Sequence, residues 1–122
     1  MKRSTALTIL LAMAAAVVVY SFAAEKEVSV TGEVIDSACY IKMGAKGAGH
    51  AECATNCAKA GIPLAILEDK TDKVWMVASD KDAESGNVKL DQYIAKKVTV
   101  KGKTFERGGQ RILAITSVQP AS

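Results

Sequence analysis

This chain is constrained most by five short apolar segments, and the first, fourth and fifth of them alternate apolar with polar side chains. Alternation with a period of two puts every second side chain on the same face, which predicts half-buried β-strands. The expected strands cover residues 27–35, 63–68, 73–78, 97–103 and 111–118. Five such strands in one small domain predict a mainly β, mainly antiparallel barrel or sandwich. We expect Val100 and Ile115 in its core and Lys101 outside it.

The first 23 residues have the three-part layout of a secretory signal peptide. Lys2 and Arg3 precede an apolar run, and Ser21 and Ala23 place small side chains three and one positions before a cut. The run is shorter than the ~20 residues that cross a bilayer comfortably, which argues against an uncleaved membrane anchor. We therefore expect cleavage after Ala23 and a single mature domain of residues 24–122. Its expected location is periplasmic or secreted, in a bacterium, without stable membrane insertion.

The charge of the mature domain disfavours nucleic acid as a partner. The whole chain has a formal charge of +3, but the first 23 residues contain two of its 16 basic residues and none of its 13 acidic ones. Removing them leaves 14 basic and 13 acidic residues, a formal charge of +1. A nearly neutral domain with scattered aromatic side chains has neither the basic field nor the stacking series that nucleic acids require.

The only histidine and two of the three cysteines lie close together in an alanine-rich stretch. Residues 50–60 end at Gly61, a typical helix stop signal, and they predict a short helix inserted after the first strand. At about 100° per residue, His50, Cys53 and Cys57 fall within an arc of roughly 60° on one face. Their side chains can therefore converge on a single point.

A soft-metal site is the first interpretation of this cluster. Cys39 follows the first strand, and a glycine-rich loop at residues 44–49 can bring it back to the helix. Three thiolates and one imidazole are a donor set for Zn(II) or Cu(I). The predicted metal ligands are therefore Cys39, His50, Cys53 and Cys57.

A disulfide is the main alternative, because small exported domains commonly use cysteines as crosslinks. Cys53 and Cys57 are four residues apart on a helix, which is poor geometry for a bond between them, so Cys39 would pair with one of the two. One thiol would then remain, on a stapled module that binds an exported protein partner. A thiol redox protein, with Cys53 near the helix start as its reactive group, is the third possibility.

No motif for haem, a nucleotide or an enzymatic reaction accompanies the cluster. The sequence has no Cys-x-x-Cys pair, which excludes a covalent c-type haem site and a thioredoxin-type pair. The glycine-rich loop lacks the pattern of a phosphate-binding loop. Cys39 and His50 lack the third, orienting residue expected beside a catalytic nucleophile and its base. We therefore do not expect an enzyme.

Three motifs together resemble a family of small secreted bacterial proteins of unknown function. That family has a G-x-[VI]-x-D-x-x-C pattern, then a histidine and two cysteines, then a tail of the form L-x-x-Y-x-G-K-x-V-x-V-x-G. The matching segments here are residues 32–39, 50–57 and 90–102, with Ala95 in place of the tail glycine. The resemblance implies export and a five-stranded OB-like barrel, and it implies no particular reaction.

Overall fold

The computed structural model describes residues 26–122, so the predicted signal peptide and its cut after Ala23 lie outside the described part of the chain. Within that part, no helix is long and apolar enough to span a membrane. The elements in chain order are β1 (Lys26–Asp36), α1 (Ser37–Met43), α2 (Ala51–Lys59), β2 (Leu64–Glu68), β3 (Val74–Ser79), α3 (Asn87–Leu90), β4 (Lys97–Arg107) and β5 (Gln110–Pro120). Single 3-10 turns at Ala48–His50 and Asp91–Tyr93 precede α2 and follow α3.

The strands form a closed barrel in the order β1-β2-β3-β5-β4. Neighbours are antiparallel except β3 and β5, which run parallel. This confirms the expected five-stranded OB-like barrel, with helices inserted after its first strand. The first strand belongs to both halves of the barrel, since its early residues pair with β4 and its later residues pair with β2.

Gly32 lies where β1 changes from one partner strand to the other. It pairs with Glu68 on β2 and with Val98 on β4. A Cβ atom built on Gly32 would stand 2.1 Å from the carbonyl oxygen of Leu67, closer than any side chain can approach. The strand can close the barrel here only because this residue has no side chain.

The barrel interior is filled by the side chains that the alternating pattern predicted. Val100 and Ile115 are fully buried and Lys101 is exposed, as expected. Leu90 is also fully buried and packs into the same core, so the short α3 segment belongs to the core cluster. Ala54 adds the inner face of α2 to this cluster. The helix that carries two of the cysteines is therefore packed on the barrel.

The last two strands and one short helix differ most from the sequence prediction. The last two strands are longer than expected, because the chain reverses in a tight turn at Gly108 and Gly109, both of which have positive φ. Helix α1 was not predicted. It begins at an Asp36 cap and ends at Gly44, whose φ of 71° is the left-handed conformation typical of a helix stop.

Candidate metal centre

Helix α1 positions Cys39 directly after the end of β1. The Asp36 side chain caps the helix, since its Oδ1 accepts hydrogen bonds from the backbone N–H groups of Ala38 at 2.9 Å and Cys39 at 3.2 Å. Ser37 ties the same end to the chain that leaves α2, because its hydroxyl donates to the Pro63 carbonyl at 2.7 Å. Hydrogen bonds between these two side chains and the backbone therefore fix the segment that carries Cys39.

The glycine-rich loop brings His50 to the same end of β1. Gly47 has a φ of 80°, which glycine adopts without strain. Its N–H donates to the Glu33 carboxylate on β1, and its carbonyl accepts the His50 N–H at 3.0 Å. Glu33 therefore holds the loop against the barrel and positions the backbone of His50.

Helix α2 supplies Cys53 and Cys57 from successive turns, close to the helix predicted from the sequence. The helix is fixed at its far end by Asn87, which accepts from the Leu64 N–H at 2.8 Å and donates to the Ile62 carbonyl at 2.9 Å. Asn87 is buried, so these bonds are shielded from water and hold the end of the inserted segment against α3.

The four predicted ligands fall into two overlapping groups that share Cys39. In the first ligand group, Cys39, His50 and Cys53 bring one ligand atom each to within 4.8 Å of the others. In the second ligand group, Asp36, Cys39 and Cys57 do the same. Bound metals draw thiolates to about 2.3 Å and imidazole nitrogens to about 2.0–2.1 Å, so a modest contraction of either group is enough to bind an ion.

Two polar atoms in the cluster are buried and lack partners. His50 Nε2 and Asp36 Oδ2 make no hydrogen bond within residues 26–122 that satisfies normal geometry. Asp36 is only 1% exposed, so water does not compensate its free oxygen. Buried polar atoms normally have a partner. Both atoms are therefore available to a ligand.

The centre opens to solvent on one side. Cys53 is exposed, and with Cys57 it lines a groove of about 560 Å³ along α2. Cys39 and His50 are half-buried behind it. An ion can therefore reach the thiols through the groove without any part of the barrel opening.

The thiols and the carboxylate strongly influence one another's protonation. The pKa of Cys57 is raised to about 12, mainly because its thiol proton interacts with the Asp36 carboxylate and secondly because the thiol is partly desolvated. The same two causes raise the pKa of Cys39. Burial alone would raise the pKa of Asp36, but the Cys57 thiol and the N–H groups of α1 outweigh it, and the pKa lies below its ordinary value. The metal-free centre therefore pairs an ionised carboxylate with protonated thiols.

All three cysteines lie within the described residues, and each is a free thiol in the structure. Sequence reasoning identified Cys39, His50, Cys53 and Cys57 but missed Asp36. Asp36 could have been identified from its position, because it lies three residues before Cys39 and directly before the first turn of α1. From there its carboxylate caps the helix and lies close to the thiols. Recognising it required the unpredicted helix α1.

No family model, no curated protein and no solved structure matches this chain. The family resemblance drawn from the motifs stays a prediction, and the function is inferred from the centre itself.

Proposed function

We propose that this domain is exported and binds a soft metal ion, Cu(I) or Zn(II), with the first ligand group as its primary site. The observation that supports this most directly is the convergence of Cys39, His50 and Cys53 within 4.8 Å, together with the unpartnered buried nitrogen of His50. Two thiolates and an imidazole suit Cu(I) with three ligands, and they suit Zn(II) when a further ligand completes a tetrahedron.

The proposed site is attached to a scaffold that remains in place without the metal. Its ligands come from α1, the loop and α2, and hydrogen bonds between side chains and the backbone hold these segments in place. The exposed Cys53 and the groove beside it leave one side of the ion accessible. Such a site fits a protein that takes up or hands over a metal, since a purely structural zinc site is closed on all sides.

Titration of the reduced protein with Cu(I) or Zn(II), against a competing chelator, tests the proposal. We expect one ion bound at the first ligand group with micromolar or tighter affinity. His50→Ala should weaken binding by more than about 100-fold, since loss of even a second-shell partner typically costs 10–100-fold. Asn56→Ala is the matched control, because this residue lines the same groove on the same helix and is not a ligand. Equal affinities of wild type and His50→Ala would refute the site.

The disulfide alternative also has a structural argument. The Cys39 sulfur lies within 4.8 Å of the sulfurs of both Cys53 and Cys57, so either pair can form a bond after a side-chain rotation. The domain would then be a stapled module for an exported protein partner. Under this alternative, protein purified under oxidising conditions has one free thiol per chain, and His50→Ala changes neither the thiol count nor the stability.

The raised pKa values of Cys39 and Cys57 argue against a thiol redox catalyst that uses either of them as nucleophile. The reactive form of cysteine is the thiolate, and catalytic cysteines have lowered pKa values. Both thiols beside Asp36 instead retain their protons until a cation displaces them.

A further inference from the structure

We propose that the second ligand group, Asp36, Cys39 and Cys57, binds a second ion, Zn(II), and that the Cys39 thiolate bridges the two ions. This inference rests on the proposed function, because the bridge requires an ion at the first ligand group. It assigns a ligand role to Asp36 and moves Cys57 from the first ion to the second.

The carboxyl group of Asp36 is only half used by the fold. Its Oδ1 accepts the two N–H groups that cap α1, whereas its Oδ2 has no partner within the described residues that meets hydrogen-bond geometry. A capping aspartate at a helix start is usually exposed, but Asp36 is 1% exposed. A buried carboxylate oxygen beside two thiols is the arrangement of a metal ligand.

The charges in the cluster favour a second cation when the thiols are ionised. Three thiolates and one carboxylate carry four negative charges beside a neutral imidazole, and a single divalent ion balances two of them. Two divalent ions balance all four. Zn(II) binding here forms the Zn–S bond to Cys57, breaks its S–H bond and releases one proton to solvent.

The donor atoms of the second ligand group determine which metal it prefers. A carboxylate oxygen is a hard ligand that Zn(II) accepts and Cu(I) disfavours, since Cu(I) selects soft sulfur ligands. The second ligand group therefore takes Zn(II), whereas the first group, with sulfur and imidazole only, accepts either metal. Cys57 lines the groove beside α2, which gives the second ion its route from solvent.

Equilibrium dialysis of the reduced mature domain against Zn(II), followed by metal analysis, tests the inference. We expect two Zn(II) per chain for wild type and one for Asp36→Asn, which keeps the capping oxygen and removes the charge. His50→Ala should also retain one ion, whereas Cys39→Ser should lose both. Asp91→Asn is the control for an aspartate substitution at an exposed site away from the cluster. Cys57→Ser supplies the same readout as Asp36→Asn if the latter does not fold.

The two proposals fail in different ways. A wild-type ratio of one Zn(II) per chain, or a ratio that neither Asp36→Asn nor Cys57→Ser changes, overturns the second ion. If the His50→Ala effect on Cu(I) or Zn(II) affinity is then still observed, the first site stands alone. Absence of both Zn(II) and Cu(I) binding by the reduced wild type overturns the proposed function and the second ion together.

Discussion

Replacing Asp36 with alanine should destabilise the metal-free domain, because the substitution removes both capping hydrogen bonds of α1. Loss of an N-cap aspartate costs about 0.5–2 kcal/mol of stability. Because Asp36 is buried, water cannot replace the lost hydrogen bonds, which favours the upper part of that range. Removal of the unpartnered buried Oδ2 is itself stabilising and offsets part of the loss. We therefore expect a loss of about 1–2 kcal/mol, or a Tm lower by about 4–16 °C for a domain of this size.

The assay is urea unfolding of reduced protein in the presence of a metal chelator, so that ion binding does not enter the comparison. Asp36→Asn serves as the matched variant, because asparagine caps a helix about as well as aspartate. It should retain most of the wild-type stability. An Asp36→Ala variant as stable as wild type would show that the cap contributes nothing and that the side chain has only a ligand role.

The same comparison has a defined pH dependence. The folded-state pKa of Asp36 is lower than its ordinary value of 3.8, so the contribution of its carboxylate is complete above about pH 4 and is lost as pH falls through the folded-state pKa. The stability gap between wild type and Asp36→Ala should therefore narrow in acid. A gap that widens as pH falls contradicts the assigned direction.

Three further predictions concern Gly32 in β1, the contact of Glu33 with the glycine-rich loop, and the Cys57 thiol. Gly32→Ala should cost about 3 kcal/mol or more in urea unfolding, because the new Cβ meets the Leu67 carbonyl; Gly49→Ala, with nothing within 4 Å, should change stability by less than about 0.5 kcal/mol. Glu33→Ala should leave the circular dichroism spectrum unchanged but weaken metal affinity about 10–100-fold, as loss of a second-shell contact does. Unchanged affinity would show that the loop does not need the Glu33 contact. In metal-free protein, ultraviolet thiolate absorbance should place the Cys57 pKa near 12 and not near 9.0. The stability that its thiol proton supplies is complete below about pH 9 and is lost as pH rises towards 12, and a titration near pH 9 would contradict the pairing with Asp36.

The barrel could be predicted from the sequence because β1 and β4 bury mainly one face, which gives their apolar residues a period of two. Strand β2 is buried on both faces and is a continuous apolar run. The parallel pairing of β3 with β5 has no corresponding pattern in the sequence. It depends on how α3 packs against β3 and β5, which is a tertiary arrangement. Helix α1 was missed for a different reason, since its seven residues are too few to show a helical period.

The candidate centre was predictable only in part. Helical spacing placed His50, Cys53 and Cys57 on one face, but it does not place them at one height. Positions seven residues apart on a helix are separated by about 10.5 Å along its axis. Cys39, on a different helix, reaches ligand atoms near both ends of this span, and it therefore joins two groups where the sequence suggested one.

The ends of the inserted segment explain how a barrel can carry such a centre. Asp36 pairs with Leu64 in the β1–β2 ladder, so the chain leaves the barrel and returns to it at neighbouring positions. All ligands of both groups lie at or between these two residues, and the strands that complete the barrel contribute none. An ion that draws the ligands together therefore tightens the insertion without changing any strand register. Asp36 is the point where the two parts meet, because the residue that ends the first strand and caps the next helix also places a carboxylate oxygen within 4.8 Å of the Cys39 and Cys57 sulfurs.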